Sequence, residues 1–524
     1  MNIVAFKPGH DGSAAYVSDG NLVFSHETEK DSGARYSALD ITSIIHTLED
    51  LPSVPDVLAI SGWEESRGNL MRPIGHGYLG LEPPTFCRKT ICGREVRVMS
   101  SSHERSHLLC AYALSPFPQG TPCYALLWEG YIGRFYRIDE KLNITVLSNV
   151  MWGPGLRYGF AYGLMDESFC LPPGAIRLAD AGKLMALAAF HESETPTSTE
   201  REVIDALLAN PERLPKLSKS DFRSFPQYNC GVTSNVGKRW ARLISDAIFQ
   251  YFIQRIRPLV DGRSPLLVCG GCALNCDWNS SLLETGLFSD VFVPPCPNDT
   301  GSAIGTAADV QFSLTGSAKL RWSVYAGQAL VLDDFGPSDF VVGSATPGDV
   351  AKHLLDGAIL GWACGKAEIG PRALGHRSIL ASPLQAATLH RLNQIKQRES
   401  FRPIAPVCRE EELAEHFAPA TPSPYMLFFH RVLTSRLPAI THVDGSARVQ
   451  TLSRNENPAL HEVLSEFRKL SGVGVLCNTS LNFKGAGFIN RRSDLARFSL
   501  EAGLDGFVAE NRLYLRKQFL HSLR

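Results

Sequence analysis

The sequence predicts an α/β protein of two domains, on three observations. Residues 2–6, 13–18 and 21–27 read as short strands joined by Gly-bearing turns. Farther along, the stretch 237–257 carries an apolar face of helical period, and the apolar run Leu266–Cys269 then enters a Gly-Gly turn. Between residues 312 and 348 Gly, Ser and Pro rise and the apolar periodicity breaks, after which a new set of elements begins near Pro347. A chain of 524 residues is also too long for one ordinary core.

The opening strands flank Pro8-Gly9-His10-Asp11-Gly12 and the Ser18-Asp19-Gly20 turn. A strand, a Gly-rich hairpin and two more strands open the actin-like, heat-shock ATPase superfold, where the first hairpin approaches nucleotide phosphates. His10 lies in that hairpin, and no periodic apolar face claims it. The plainer reading of His10 is a polar side chain that stabilises a turn.

Ser101-Ser102-His103-Glu104-Arg105-Ser106-His107 reads as a capped helix start. His103 and His107 stand one turn apart on one face, a usual spacing for two imidazole ligands of one metal. Alone the pair is a weak signal. It gains weight from Glu129, at the end of an apolar strand, and from Asp299 in Pro297-Asn298-Asp299-Thr300-Gly301, both expected at strand ends before Gly. Two His and two carboxylates suit Fe(II), with Mn or Zn as alternatives. Asp180-Ala181-Gly182-Lys183 begins a helix whose N–H groups could face phosphate. Residues 191–235 are rich in charge, Ser and Pro and read as an insertion. The 237–257 helix buries Trp240, Leu243, Ile244, Ala247, Ile248, Tyr251 and Phe252, aromatics of a core and not of a cofactor box. Cys269, Cys272 and Cys276 lack the second pair that a zinc site needs, so they read as small core residues.

The densest stretch is Ile369 to Pro406, which holds Arg372, Arg377, Lys396, Arg398 and Arg402. Gly370, Pro371 and Gly375 fix the backbone around Arg372. Gln385 to Arg398 reads as a helix with Ala387, Leu389, Leu392 and Ile395 as its apolar face, so that Lys396 and Arg402 leave its C-terminal end. A guanidinium grips phosphate through two parallel hydrogen bonds. The stretch therefore reads as a pocket for a small phosphorylated substrate, against the blander reading of a basic surface patch. Beyond it lie Thr441 to Gln450, strand 473–477 leading to Asn478-Thr479-Ser480, helix 493–502 and strand 506–509. Two phosphate-loop matches are decoys. Gly75-His76-Gly77-Tyr78-Leu79-Gly80 has no predicted strand before it, and Gly370–Ser378 carries His376 where a Walker loop needs Lys.

Composition excludes several function classes. The formal charge of -1 gives no electrostatic footprint for nucleic acid or an anionic membrane. No run of about eighteen apolar residues predicts a spanning helix. The start lacks a signal-peptide pattern, and thirteen Cys, an odd number, suggest reduced thiols in a cytoplasmic protein.

G-P-R-A-L-G-H-R-S-I-L, K-Q-R-E-S-F-R-P-I-A-P, H-V-D-G-S-A-R-V-Q and N-T-S-L-N together resemble the NodU/CmcH family of O-carbamoyltransferases, and the resemblance covers nearly the whole chain. It implies an actin-like (ASKHA) domain over 1–335 and a YrdC-like domain over 347–524. It implies ATP with Mg, carbamoyl phosphate and a small-molecule alcohol as partners, with neither nucleic acid nor membrane, and a homodimer is kept as an expectation. Carbamoyl-adenylate would form in the C-terminal domain, where Arg372, Lys396, Arg402 and Arg448 neutralise phosphoryl charge and Ser480 with Asn478 holds the carbamoyl or adenylate group. Transfer to the alcohol would follow in the N-terminal domain, with His10 as general base, His103, His107, Glu129 and Asp299 on the metal, and Asp11, Gly12, Gly182, Lys183, Gly270, Gly271, Asn275 and Gly301 on the nucleotide. Family members carry Asp where this chain has Glu129, which reaches one methylene further. F-K-P-G-H-D-G and H-E-T-E-K-D-S, with W-E-G in place of D-G, look closest to members that act on a 3'-hydroxymethyl cephem. The rival readings are a small-molecule kinase of the same superfold and a tRNA threonylcarbamoylation protein.

Overall fold

The computed structural model describes residues 1–67, 70–91 and 93–522. The chain divides into two compact units, one made of Met1–Leu114 with Asp299–Arg524 and the other of Ser115–Asn298.

The first unit holds two large sheets. In the first, the strands run in the spatial order Asn21–Glu27, Ser13–Ser18, Asn2–Lys7, Val57–Ser61, Arg94–Ser101 and Thr85–Ile91. The first three are antiparallel neighbours, and the next two join in parallel. Side chains Ile3, Val4, Ala5, Ala14, Ala15 and Val17 are buried, because the sheet is covered and the strands need not alternate. The three opening strands stand where the sequence places them.

The second unit repeats this pattern. Ile144–Asn149, Gly133–Ile138, Cys123–Trp128, Leu266–Cys269 and Val291–Phe292 are neighbours in that order, again antiparallel, antiparallel, parallel, parallel. Two copies of one strand order make the duplicated α/β core of the actin-like superfold. The long helix is Asn235–Ile256, capped by the Ser234 side chain, and it buries Trp240, Leu243, Ile244, Ile248 and Phe252. Ala247 and Tyr251, expected on the same face, are only half-buried at its margin. The charged stretch 191–235 is not featureless. Thr197 and Glu200 form a capping box for helix Ser198–Leu208, which buries Val203, Ile204 and Leu207.

The eight-stranded sheet of the first unit is mixed. Its order is Phe340–Ser344, Arg512–Arg516, Gly506–Ala509, Leu360–Ala363, Arg377–Ala381, Val475–Ser480, Ala405–Arg409 and Gln450–Leu452. Its core is one cluster that includes Trp362, Ile379, Leu464, Phe467, Leu476 and Phe507. The sheet takes its first strand from 340–344, ahead of the Pro347 helix, whose N-terminus Thr346 caps. Asn478, Thr479 and Ser480 lie inside strand Val475–Ser480 and do not follow it, because Asn478 and Ser480 pair with Leu380 and Ser378 of the next strand. Helix Ala386–Ile395 buries Leu392 and Ile395, but Ala387 is exposed and Leu389 half-buried, so its apolar face is narrower than the sequence suggests.

The Gly75–Gly80 segment requires a correction. A strand, Leu70–Ile74, does precede it. Among the described residues that strand pairs only with Trp63–Arg67 as a two-stranded ribbon, and the next element is strand Thr85–Ile91. With no helix to follow, the segment is still no dinucleotide loop.

Candidate functional site

Within the first unit, one helix supplies both histidines. Ser102 Oγ accepts from Arg105 N–H at 3.0 Å and caps helix His103–Leu114, all of which is buried. Arg105 lays a bidentate grip on Asp309, 2.7 Å at both oxygens, and Ser101 Oγ donates to the same carboxylate at 2.6 Å. Asp309 belongs to helix Ser302–Thr315. The two helices touch backbone to backbone at Gly305, where a Cβ would stand 1.8 Å from Ser106 O. Asp299 opens the turn just before that second helix. Asp299 was expected at a strand end, but it sits instead at a helix start, carried there by the packing of the two helices.

This packing brings the donors together. His103 Nε2 and His107 Nε2 are 3.2 Å apart, and they lie 3.7 and 3.3 Å from Asp299 Oδ1. Lys7 Nζ holds the other oxygen, Oδ2, at 2.9 Å. Burial alone would raise the pKa of Asp299. The charges of Lys7 and His103, the His107 hydrogen bond and the charge of His10 outweigh burial and hold the carboxyl well below the usual range. Two imidazole nitrogens and one anionic oxygen converge in a buried place, a donor set that fits a divalent metal with open positions. Glu129 follows strand Cys123–Trp128 in the second unit and is buried, with its backbone oxygen accepting from Gly155 N–H at 3.0 Å.

Several residues that shape this site gave no local signal. Tyr78 stacks on His103 with ring centroids 4.3 Å apart, and Trp63 meets both His103 and His10 edge-on at 5.1 Å. Lys7 lies over the Trp63 ring and donates to His10 O. His10 Nδ1 is 3.0 Å from Asp11 Oδ2, and its Nε2 is 3.8 Å from Asp299 Oδ2. With Asp11 holding Nδ1–H, Nε2 is the nitrogen left to take a proton. Burial lowers the pKa of His10, but the Asp11 hydrogen bond and the Asp299 charge overcome this, and the net shift is upward.

The proposed nucleotide residues have these surroundings. Gly12 N–H is taken by Ser37 O at 2.8 Å. Gly301 is buried at the cap of helix Ser302–Thr315. In the second unit, Gly182 lies in the first turn of helix Asp180–Ala188, and Lys183 pairs with Asp180 at 3.1 Å. Gly270 has φ +88° and a Cβ there would strike Trp128 O at 2.4 Å, whereas the neighbouring Gly271 faces open space. Asn275 Oδ1 caps helix Cys276–Glu284. Cys269 and Cys276 are buried and Cys272 half-buried, and burial pushes the thiols of Cys269 and Cys272 up, as suits packing residues.

The second site lies on the eight-stranded sheet. Glu368 organises it. Its Oε1 accepts the N–H groups of Leu374 (2.7 Å), His376 (2.8 Å) and Arg377 (3.0 Å), which fixes the loop that carries Arg372. Glu27 Oε1 accepts Gly370 N–H at 2.6 Å, and Lys30 donates to the carbonyls of Glu368 and Gly370. Arg377, counted above with the basic pocket, is instead structural. It is fully buried and donates to Asn490 Oδ1 and to the carbonyls of Cys364, Gly365, His376 and Gln328.

The remaining cations crowd together. Lys396 caps its helix and donates to Ser480 O at 2.6 Å and Asn482 O at 3.0 Å. Burial, then the charges of Arg398, Arg402 and Arg35, push its ammonium well below the lysine range. Burial, Arg402 and Arg448 push Arg398 down to about 9. Arg448 Nε is buried without a hydrogen-bond partner among the described residues. Ser480 Oγ donates to Asn482 Oδ1 at 2.6 Å, and Asn478 Nδ2 donates to Gln450 Oε1 at 2.8 Å, while the buried Asn478 Oδ1 has no partner among the described residues. Burial among like charges disfavours the charged forms, and an anion bound among them would favour those forms again.

The sequence was compared with known proteins. Residues 87–228 and 245–308 match the family model described as Carbamoyltransferase N-terminus, and residues 351–516 match Carbamoyltransferase C-terminus. A 3'-hydroxymethylcephem-O-carbamoyltransferase of Amycolatopsis lactamdurans is 46% identical over 520 residues, which is 99% of this chain and 100% of the relative. The protein of the same name from Streptomyces clavuligerus is 44% identical over 98% of this chain and 99% of its own length. Nodulation protein U of Rhizobium tropici is 34% identical over 93% of this chain and 92% of its own.

Proposed function

The chain belongs to the carbamoyltransferase family that includes the 3'-hydroxymethylcephem-O-carbamoyltransferases and nodulation protein U, and on that premise we propose an ATP-dependent enzyme with two half-reactions. The carbamoyl carbon is a poor electrophile because its nitrogen donates into the carbonyl, so transfer to an alcohol needs a good leaving group. In the first half-reaction, carbamoyl phosphate, ATP and one water give carbamoyl-adenylate, phosphate and pyrophosphate: water cleaves carbamoyl phosphate to carbamate and phosphate, and the carbamate oxygen displaces pyrophosphate from the α-phosphoryl group of ATP. The observation that carries this reading is the set of polar groups around strand Val475–Ser480: Lys396 Nζ rests on Ser480 O and Asn482 O, and Arg448 Nε and Asn478 Oδ1 are buried without a partner among the described residues, groups that phosphoryl and carbamoyl atoms would satisfy. Arg372, on the loop fixed by Glu368, joins them, and Ser480 with Asn478 orients the carbamoyl or adenylate group. This division of labour gives 347–524 the adenylation and 1–335 the transfer.

In the second half-reaction His10 takes the acceptor hydroxyl proton at Nε2 while Asp11 holds Nδ1–H. His103, His107 and Asp299 hold the metal, with Glu129 proposed from the sequence as a fourth ligand and Fe(II), ahead of Mn or Zn, as the ion. A divalent ion there supplies a Lewis acid that holds phosphate and polarises a carbonyl. Asp11, Gly12, Gly182, Lys183, Gly270, Gly271, Asn275 and Gly301 are the proposed nucleotide contacts. The acceptor proposed from the relatives' names is the hydroxyl of a 3'-hydroxymethyl cephem. Among the described residues no helix is long and apolar enough to cross a membrane. We propose a cytoplasmic location and a homodimer as well.

Mass spectrometry of an alcohol panel that includes a 3'-hydroxymethyl cephem, incubated with carbamoyl phosphate, ATP and Mg, tests this reading. A product heavier by one carbamoyl group, with pyrophosphate released, is expected. A gain of one phosphoryl group without pyrophosphate would establish the kinase instead, and a tRNA gel shift would favour threonylcarbamoylation.

A further inference from the structure

The segment after the third strand runs onto the eight-stranded sheet's own loop. Ser32 N–H donates to Phe488 O at 2.9 Å, Gly487 N–H to Gly33 O at 2.8 Å and Arg35 N–H to Gly485 O at 3.0 Å, with Ala34 bridging Ala486. That loop is in turn clamped to the cation cluster. Asn482 Nδ2 donates to Ala486 O at 3.0 Å, while the oxygens of Asn482 accept from Lys396. Arg35 is thereby carried to the edge of the adenylation site by a segment from the far end of the sequence. Its guanidinium is set in orientation. Glu29 Oε2 accepts Arg35 Nε–H at 3.0 Å and Tyr36 N–H at 3.1 Å. Glu29 itself is buried, and the Arg35 side chain is 35% exposed. The two terminal nitrogens of Arg35 make no hydrogen bond among the described residues. A fork whose Nε is already paired, with both outer nitrogens open, is poised for bidentate contact with a phosphoryl group.

We propose that Arg35 is a substrate-binding residue of the adenylation site, gripping a phosphoryl group of carbamoyl phosphate or of the nucleotide, and that Glu29 is its positioning residue. The repulsion that Lys396 feels from Arg35 agrees with this placement. The inference rests on the two-step reading above, and the controls keep the two apart.

The experiment is steady-state pyrophosphate release by the full chain. Arg35→Gln should raise the KM for carbamoyl phosphate or for ATP roughly 10-fold or more, the scale of one lost charged hydrogen-bond pair, and which KM moves identifies the phosphoryl group held. Arg35→Lys, with charge but no fork, should fall between it and wild type, and Glu29→Gln should raise the same KM less than Arg35→Gln. Unchanged KM values in Arg35→Gln, with pyrophosphate release lost in Arg402→Ala, would overturn the role of Arg35 alone. Release intact in both would overturn the adenylation site itself. A lowered melting temperature with unchanged KM would make Arg35 structural and overturn the proposal. Should Arg35→Gln not purify folded, Arg35→Lys decides, since an unchanged KM there refutes the fork.

Discussion

At the scale of the residue, burial decides what an ionisable group does. His26 is stacked on Phe24 at 4.2 Å, and burial holds its pKa down to about 4, with Asp50 opposing and Lys366 assisting. A base whose folded pKa lies below the unfolded 6.5 is neutral in the fold and binds protons more readily when unfolded. Its contribution is complete above pH 6.5 and is lost as pH falls toward 4. The shift corresponds to at most about 3 kcal/mol. Urea unfolding of wild type and His26→Phe at pH 7 and pH 4.5 should show the wild type losing the extra stability and the variant not. Parallel losses would assign the effect elsewhere. His103 and His107 make a second residue-scale case. With both changed to Ala, the proposed set keeps only its carboxylates and loses both nitrogen donors, so elemental analysis should find protein without bound metal that still releases pyrophosphate. Full metal occupancy would remove this cluster from the reading.

At the scale of the element, the two helices that hold His103, His107 and Asp299 act as one part. Gly305→Ala would push a methyl into the Ser106 carbonyl, since the ideal Cβ stands 1.8 Å away. Overpacking of this kind costs about 1–3 kcal/mol, and the helices would also move apart. Metal affinity should therefore fall although no ligand is changed, as isothermal titration with Fe(II) or Zn would show. Unaltered affinity would mean that the helix contact does not position the ligands. Such elements were partly legible. The strands over 2–27, Leu266–Cys269 and the His103 helix carry local patterns and were read correctly. Helix Ser198–Leu208 was missed although Thr197 and Glu200 spell a capping box ahead of Val203, Ile204 and Leu207. Lys7, Trp63, Tyr78, Glu29 and Glu368 had no local signal, because each acts on a partner set by tertiary contact. Glu368 serves three N–H groups of a loop, and Lys7 meets Asp299 from the other end of the sequence. Arg377 was counted with the basic residues of its stretch, because sequence reveals its charge but not the carbonyls around it.

At the scale of the molecule, the proposed two-step reading gives one chain two chemistries, which should separate by mutation. An alcohol near neutral pH is a weak nucleophile, and its proton must leave as the bond to carbon forms. A histidine oriented by Asp11 suits that task, whereas the cation cluster is proposed to act on phosphoryl charge, so on this reading the two sets of residues answer to different half-reactions. His10→Asn keeps a polar side chain in the turn and should leave carbamoyl-adenylate formation near wild type while transfer falls about 100-fold or more, the usual scale of a general base. Arg448→Ala should do the reverse at the first step, cutting pyrophosphate release roughly 100-fold and product with it, because the remaining cations no longer match the charge that develops. Chromatography of adenylate and carbamoylated product from the same reaction reads both steps at once. In His10→Asn the adenylate should accumulate or hydrolyse, and in Arg448→Ala it should be absent. Loss of both steps in His10→Asn would make that residue structural. Transfer near the wild-type rate would move the base elsewhere, and unimpaired pyrophosphate release in Arg448→Ala would take this arginine out of the adenylation site.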